Sequence, residues 1–170
     1  MIATTGCGDA ETERIKLAAE KVPVVFSANY SLGITVMARI AEEMTDILRE
    51  NFDIEIVEKH HRNKLDAPSG TALLLARAVN NKGNYEFTYG RYGSARRNKQ
   101  DIGIHAVRGG GIVGEHSIIF AGDEEVIEIK HHAASKRIFA VGALKAAEFV
   151  IGKEKGLYDM KDVLCMTQNQ

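Results

Sequence analysis

The feature that most constrains the fold is a run of three strand-like segments between Ile102 and His131. The segments read IGIHAVR, IVGEHSIIFA and VIEIKH, and the turn-forming sequences GGG and GDEE separate them. Alternating and β-branched residues in short runs bounded by glycine are typical of strands joined by turns. This pattern predicts an antiparallel meander, and with it a chain built around a mainly antiparallel sheet.

Helical patterns lie on both sides of this run. Apolar residues recur at helical spacing in four stretches, and a capping residue precedes or opens each of them. Two further segments have the composition of strands. The predicted helices are 9–21, 32–49, 69–79 and 135–152, with caps at Asp9, Ser31, Ser69 and Ser135, and the predicted additional strands are 22–28 and 52–60.

The predicted fold class is α+β, a mainly antiparallel or mixed open sheet with helices on one face. Residues 1–30 add the trailing strand–helix–strand of a Rossmann-like unit, because a turn, a helix and a short apolar strand follow one another there. Residues 91–101 have no periodicity and are the best candidate for a mobile surface loop. We expect one short turn in the tail, near residues 159–164.

Charge and apolar patterning exclude several classes of protein. The chain has 22 basic and 23 acidic residues, which argues against nucleic-acid or membrane-surface binding driven by bulk charge. The N-terminus lacks the basic and apolar regions of a signal peptide. The longest apolar stretch is interrupted by Lys145 and Glu148, so we expect no membrane span and a cytoplasmic protein. Cys7 and Cys165 are interpreted as reduced thiols, with a single disulfide as the open alternative.

Residues 60–71, HHRNKLDAPSGT, are the strongest chemical signal. They place basic side chains next to a predicted helix start, where backbone N–H groups and the helix dipole favour anions. Gly70 would let a ligand approach the backbone, while Ser69 and Thr71 would add hydroxyl donors. Lys64 offers a compact positive charge. We therefore predict an anion-binding loop.

His60 is the candidate general acid, since histidine exchanges protons near neutral pH. Strand alternation puts it on the same side as Ile54 and Ile56, with His61 on the other side. Two alternatives stay open. The segment could be an ordinary capped helix with surface histidines, or the histidines could join His131–His132 around a metal ion, although no spaced ligand set supports that.

Three other glycine or histidine patterns carry weaker signals. Residues 109–114 match the letters of a dinucleotide fingerprint, but strands flank them on both sides, so we interpret them as a hairpin turn. Residues 4–6 and 27–30 each follow a predicted strand, at the end where open α/β sheets bind ligands, although an ordinary turn is the simpler interpretation. His105 and His116 are interpreted as structural.

The segment EKHHRNKLDAPSGTA, residues 58–72, resembles the signature of the dihydrodipicolinate reductase family. The similarity extends through IGIHAVRGGGIVGEHSIIFAG, HHAASKRIFAVGAL and GLYDMKDVL, and so over essentially the whole chain. The chain departs from the family at Ala3, where glycine is usual, and at Lys136, where arginine is usual.

The resemblance implies an oxidoreductase that uses NADPH or NADH to reduce 4-hydroxy-tetrahydrodipicolinate, a cyclic dicarboxylate of lysine and diaminopimelate biosynthesis. It implies catalytic roles for His60 and Lys64 and a homotetramer joined through the sheets. It further implies a dinucleotide-binding remnant over residues 1–30, a substrate-binding and oligomerisation domain over residues 31–152 and a tail over residues 153–170. Substrate carboxylates would be held by His61, Ser69, Gly70 and Thr71, and the nicotinamide side of the cofactor by Ala3, Thr4, Thr5, Ser27, Ala28, Asn29 and Tyr30.

The sequence holds no glycine-rich pyrophosphate loop between a strand and a helix. We therefore expect a truncated form that folds and binds dicarboxylates but turns over little substrate by itself. A non-enzymatic dicarboxylate-binding or assembly module is the alternative, and a nicotinamide-dependent dehydrogenase for another small acid is a third. The preference between NADH and NADPH is not encoded in these residues.

Overall fold

The computed structural model describes residues 1–4 and 7–166. It confirms the predicted α+β class. The helices are α1 (Asp9–Ala19), α2 (Leu32–Leu48), α3 (Gly70–Val79), α4 (Arg137–Val150) and α5 (Met160–Met166), and the strands are β1 (Pro23–Val25), β2 (Asp53–His60), β3 (Glu86–Tyr89), β4 (Asp101–Arg108), β5 (Glu115–Ala121), β6 (Val126–His132) and β7 (Gly156–Tyr158).

The larger sheet has five strands in the order β3-β4-β2-β5-β6. Strands β3, β4 and β2 are parallel, whereas β5 is antiparallel to both of its neighbours, β2 and β6. The sheet is therefore mixed. Helix α3 packs on β2 and β4 through Ala72, Leu75, Ala76 and Val79, all buried.

The predicted antiparallel meander is wrong in its first half. Strands β4 and β5 do not pair, because β2 lies between them and bonds to both. The glycine segment 109–114 is thus a crossover around the end of β2 and not a hairpin turn. Only β5 and β6 form the expected antiparallel hairpin.

The register of the sheet determines which side chains meet. Ile54 and Ile56 on β2 are flanked by Ile102 and Ile104 on β4 and by Phe120 and Ile118 on β5. All six are essentially inaccessible to solvent. These residues form the apolar layer under α3, and the polar residues that follow on the same face of β2 are held in the same alignment.

The chain divides into two compact units. Residues up to Val36 and those from Lys136 onward form the first, and residues from Met37 to Ser135 form the second. In the first unit β1 pairs in parallel with β7, and Ile2 forms a parallel bridge to Phe26. The predicted domain boundaries at residues 30 and 152 remain a prediction. The compact unit that contains the N-terminal strands also contains α4, which packs against β1.

Several local predictions differ from the structure. Helix α1 is capped by Gly8 instead of Asp9, and α4 by Lys136 instead of Ser135. Strands β3 and β7 were not predicted, because three or four residues carry too little periodicity. The caps at Ser31 and Ser69 are confirmed by hydrogen bonds to the N–H groups of Ile34 and Ala72.

Two sequence predictions concern the surface and the thiols. Cys7 and Cys165 are both free, so the disulfide alternative is wrong. Among the described residues, no helix is long and apolar enough to cross a membrane. In the segment 91–101, Arg91 and Arg97 form ion pairs with Glu55 on β2, at 3.0 and 3.1 Å; the mobility of this segment stays a prediction.

Candidate functional site

Strand β2 places two polar side chains, Glu58 and His60, on the buried face of the sheet. Burial alternates along the strand, so that Ile54, Ile56, Glu58 and His60 all face inward. This confirms the prediction that His60 shares a side with the two isoleucines. His61 follows the strand end and is half-buried.

Glu58 is the centre of a hydrogen-bond network. Its side chain is fully buried, and Arg108 binds it through two nitrogens at 2.6 and 2.8 Å. The backbone N–H of Ser69 donates to Oε1 at 3.0 Å, and His60 Nδ1 lies 2.6 Å from Oε2. A buried charge is tolerated when its partners are this complete.

The ionised state of Glu58 determines which ring nitrogen of His60 carries the proton in their contact. Burial raises the pKa of the Glu58 carboxyl. The hydrogen bonds from Arg108, His60 and Ser69 lower it by more than burial raises it, so the net pKa lies below the ordinary value. An ionised carboxylate only accepts hydrogen bonds. His60 Nδ1 is therefore the protonated nitrogen of this contact, and Nε2 is the nitrogen left for other chemistry.

His116 on β5 is the third member of the buried cluster. Its ring meets that of His60 edge-on, with centroids 5.1 Å apart, and its Nε2 lies 3.1 Å from Ser69 Oγ. Burial is the main cause that lowers the pKa of His116 to about 4, and the proximity of His60 is the second cause. Its Nδ1 has no hydrogen-bond partner among the described residues, which further disfavours a second proton. His116 is therefore neutral at pH 7.

The N-terminus of α3 closes the same cluster. Ser69 caps the helix through Oγ, and its N–H is already used by Glu58, so both of its polar groups are engaged inside the protein. Gly70 in contrast is exposed, and a Cβ built there would meet no atom within 4 Å. The open position at this helix start is Gly70, and the predicted role of Ser69 as a substrate ligand stays a prediction.

Lys64 and Asp66 form an ion pair in the loop before α3. Lys64 Nζ lies 2.7 Å from Asp66 Oδ1, and the Lys64 side chain is mostly shielded while Asp66 is exposed. The hydrogen bond from Lys64, joined by one from the Gly70 backbone, lowers the pKa of the Asp66 carboxyl. The charge of Lys64 also contributes to the lowered pKa of His116, so it acts within electrostatic range of the cluster.

The glycine segment 109–114 borders the same site. Gly109 N–H donates to the carbonyl of His60 at 2.9 Å, and Arg62 N–H donates to the carbonyl of Gly110 at 3.2 Å. A Cβ at residue 114 would lie 3.1 Å from His60 Nε2. The segment is therefore a backbone wall beside His60, and glycine at position 114 leaves space next to Nε2.

Sequence reasoning missed three members of the cluster, namely Glu58, Arg108 and His116. The alternation that placed His60 beside Ile56 also places Glu58 there, so this residue could have been found. Arg108 and His116 reach the site only through the pairing of β2 with both β4 and β5, where His60 aligns with Arg108 and Glu58 with His116. No local pattern reports such a register.

The residues predicted to touch a cofactor lie in the first unit, except that Thr5 lies outside the described residues. Ile2 and Phe26 pair in parallel, so Ala3–Thr4 and Ser27–Ala28 follow neighbouring strands at the same edge. Ala3, Thr4 and Ala28 are exposed. Asn29 and Tyr30 are buried. The Tyr30 hydroxyl contacts the carbonyls of Ile2 and Val25 at 2.7 and 3.1 Å, which makes it a packing residue of this unit.

The described residues of the first unit contain only part of a typical dinucleotide-binding site. The small residues at the strand edge suit close approach of a nicotinamide ring. Helix α1, however, does not present a free phosphate site, because Glu11 accepts the N–H of Gly8 at 3.0 Å and adds negative charge to the first turn. Within residues 1–4 and 7–166 no glycine-rich loop joins a strand to a helix N-terminus.

The described part of the chain contains no group of three histidine, cysteine or acidic residues arranged to hold a metal ion. His131, which was considered as a partner for the loop histidines, lies on β6 opposite His116. Burial lowers the pKa of His131, as it does for His116.

A family model and curated relatives of this chain all carry the name of one reductase family. A family model described as "Dihydrodipicolinate reductase, C-terminus" matches residues 33–164. The 4-hydroxy-tetrahydrodipicolinate reductases of Clostridium novyi and Caldanaerobacter subterraneus are 50% and 52% identical over 166 and 167 residues. Both matches cover 96% of this chain and 66% of the relative, so the chain spans just under two thirds of the length of these relatives.

One solved structure has a similar fold. The dipicolinate-bound dihydrodipicolinate reductase from Paenisporosarcina sp. TG-14 is similar over 93% of this chain and 61% of its own, with a TM-score of 0.73 and 26% sequence identity.

Proposed function

The chain belongs to the dihydrodipicolinate reductase family, and from this premise we propose that it binds a small cyclic dicarboxylate in the loop between β2 and α3. The whole-enzyme reaction in this proposal is reduction of 4-hydroxy-tetrahydrodipicolinate to tetrahydrodipicolinate by NADPH or NADH. Residues 31–152 are the substrate-binding and oligomerisation domain, residues 1–30 belong to a dinucleotide-binding domain, and residues 153–170 form the tail.

The observation that carries the proposal is the convergence of Lys64 and the open start of α3. Lys64 supplies a positive charge, and Gly70 leaves room for a ligand at a helix N-terminus that favours anions. His61 and Thr71, half-buried at the two ends of this loop, are the proposed further contacts to the carboxylates. A small ring with two carboxylates offers anionic groups for the positive charge and the backbone donors of this loop.

His60 and Lys64 are the proposed proton carriers. Bound NADPH or NADH would supply a hydride, and the ring, which loses its 4-hydroxyl group as water, also needs a proton. His60 presents Nε2 for this transfer because Nδ1 is held by Glu58. Lys64 carries a proton at Nζ and would serve as the donor beside the substrate carboxylate.

The proposed cofactor contacts are limited to the nicotinamide side. They are Ala3, Thr4, Thr5, Ser27, Ala28, Asn29 and Tyr30, and the buried positions of the last two leave mainly backbone for this role. Because these residues come with no glycine-rich phosphate loop, we propose that the purified 170-residue chain binds dicarboxylate while turning over NADPH very slowly. Rapid NADPH oxidation by this chain with substrate would contradict that part of the proposal.

We propose that the protein assembles with copies of itself and has no nucleic-acid or membrane partner. We propose a cytoplasmic homotetramer joined through the face of the five-stranded sheet opposite α3. On that face Val107 and Val126 are 44% and 63% exposed. Sedimentation analysis should give the mass of a tetramer, and Val107→Glu should lower it, whereas Ile40→Glu, at a comparably exposed position on α2, should not.

A non-enzymatic dicarboxylate-binding or assembly module is the second candidate, and it would use the same Lys64 and Gly70 in the loop between β2 and α3. Titration of NADPH into the dicarboxylate-saturated chain separates the two. Binding of the cofactor favours the reductase, and its failure at millimolar concentration favours the module. If pyridine-2,6-dicarboxylate itself does not bind, a dehydrogenase for another small acid becomes the better interpretation.

A further inference from the structure

The Glu58 carboxylate is the buried partner of His60, the proposed proton carrier. It lies two residues before His60 on the same face of β2, is fully buried and receives four hydrogen bonds, from Arg108 twice, Ser69 and His60. An apolar residue would fill this layer as Ile54 and Ile56 do. A charged residue here is costly unless its partners compensate fully.

We propose that Glu58 is a positioning residue for His60, an inference that rests on the proposed function of His60 as proton carrier. The 2.6 Å contact from Nδ1 to Oε2 fixes both the ring orientation and the location of the ring proton. Nε2 then faces the space beside Gly114, where any side chain would approach within 3.1 Å. Glu58 thereby makes Nε2 the nitrogen that takes up and delivers the proton.

Arg108 and the start of α3 hold the carboxylate itself. Arg108 spans both oxygens at 2.6 and 2.8 Å, and the Ser69 N–H contacts Oε1 at 3.0 Å. A bidentate guanidinium fixes the carboxylate plane, and so fixes the direction from which Oε2 meets His60. The same network joins the proton carrier to the helix that begins the proposed anion site.

The variant Glu58→Gln should change the tautomer of His60. Arg108 Nη2 and the Ser69 N–H both donate to Oε1, whereas at Oε2 only Arg108 Nη1 is a fixed donor and the His60 proton can move. The amide oxygen therefore takes the place of Oε1, and the amide NH₂ takes the place of Oε2. That group donates to His60 Nδ1, and the ring proton moves to Nε2. Glu55→Gln is the matched control, because Glu55 lies on the opposite face of the same strand and contacts His105 Nε2 at 2.8 Å.

Nitrogen-15 NMR of histidine-labelled protein, under conditions where the His60 ring is neutral, measures this directly. The wild type and Glu55→Gln should show His60 protonated at Nδ1, and Glu58→Gln should show it protonated at Nε2.

Two results would overturn the proposal. One is a wild-type His60 protonated at Nε2, which needs no variant and so holds even where Glu58→Gln fails to fold. The other is a folded Glu58→Gln protein whose His60 keeps its proton on Nδ1. Absence of dicarboxylate binding by the wild type would instead count against the proposed function, and leave the tautomer result unaffected.

Discussion

Single side chains in the β2–α3 loop compete for the same donors. Asp66 is the clearest case, because its carboxylate lies 2.7 Å from Lys64 Nζ and the Gly70 backbone also lowers its pKa. These are two of the groups proposed to hold a substrate carboxylate. Asp66 therefore occupies part of the proposed site, and we expect a dicarboxylate to compete with it for Lys64.

The variant Asp66→Asn should bind pyridine-2,6-dicarboxylate more tightly than the wild type. Exposed ion pairs are worth about 0–1 kcal/mol, so the expected gain is about two- to fivefold. Calorimetry compares it with Asp46→Asn, which breaks a Lys–Asp pair with Lys82 and should leave the affinity unchanged. Weaker binding by Asp66→Asn would show that Asp66 orders the loop and does not compete with the ligand.

His116 should make the fold sensitive to mild acid. Its pKa is about 4 in the folded chain against an ordinary 6.5, so the unfolded chain binds more protons between these values. The free energy of unfolding should therefore fall by up to about 3 kcal/mol as the pH drops from about 6.5 to about 4. Urea titrations of the wild type and His116→Gln across this range measure the difference in slope.

His105→Gln is the control for this titration, because His105 lies on the other face of the sheet and contacts Glu55 instead of the buried cluster. It should keep the wild-type dependence on pH. If His116→Gln has the same slope as the wild type, His116 is not the group that couples folding to protonation.

At the scale of elements, helix starts and close backbone contacts explain where glycine is required. In α4, Gly142 packs so closely on Tyr30 that a Cβ there would overlap the Tyr30 carbonyl, which belongs to the same unit. At the start of α3, a Cβ on Gly70 would meet nothing. One glycine serves packing, and the other leaves a space.

Alanine at these two positions should therefore have opposite effects. Gly142→Ala should lower the free energy of unfolding by about 3 kcal/mol or more, since backbone atoms have to move. Gly70→Ala should fold with unchanged or slightly higher stability, because alanine favours helix, yet should bind pyridine-2,6-dicarboxylate at least about tenfold more weakly. Thermal unfolding and calorimetry measure both, and equal stability of the two variants would contradict this assignment.

Elements also show how far a sequence predicts its site. Periodicity placed α2, β2 and α3 within one or two residues, because each is long or capped by serine. The position of β2 between β4 and β5 could not be predicted, since pairing depends on contacts about fifty residues apart in sequence, such as Glu58 with Arg108. The loop residues His60 and Lys64 were accessible to sequence reasoning, whereas the network behind them was not.

At the scale of the whole molecule, the chain combines a unit built on the five-stranded sheet with a unit that contains the parallel pair β1 and β7. The five-stranded sheet and α3 carry the proposed dicarboxylate site, and β1, β7 and the bridge at Ile2 carry the proposed cofactor edge. The family match over residues 33–164 covers the whole of the β2–α3 loop. Dicarboxylate binding is thus the property that the described residues support most completely.

The most direct test of the central claim is calorimetric titration of pyridine-2,6-dicarboxylate into the wild type, Lys64→Ala and Lys99→Ala. Lys64 lies in the proposed anion site, whereas Lys99 is exposed in the segment 91–101. We predict saturable binding by the wild type, unchanged binding by Lys99→Ala and a loss of about tenfold or more in Lys64→Ala, the range expected for a hydrogen bond to a charged group. Equal affinities of the two variants, or no binding by the wild type, would contradict the assignment of the β2–α3 loop as a dicarboxylate site.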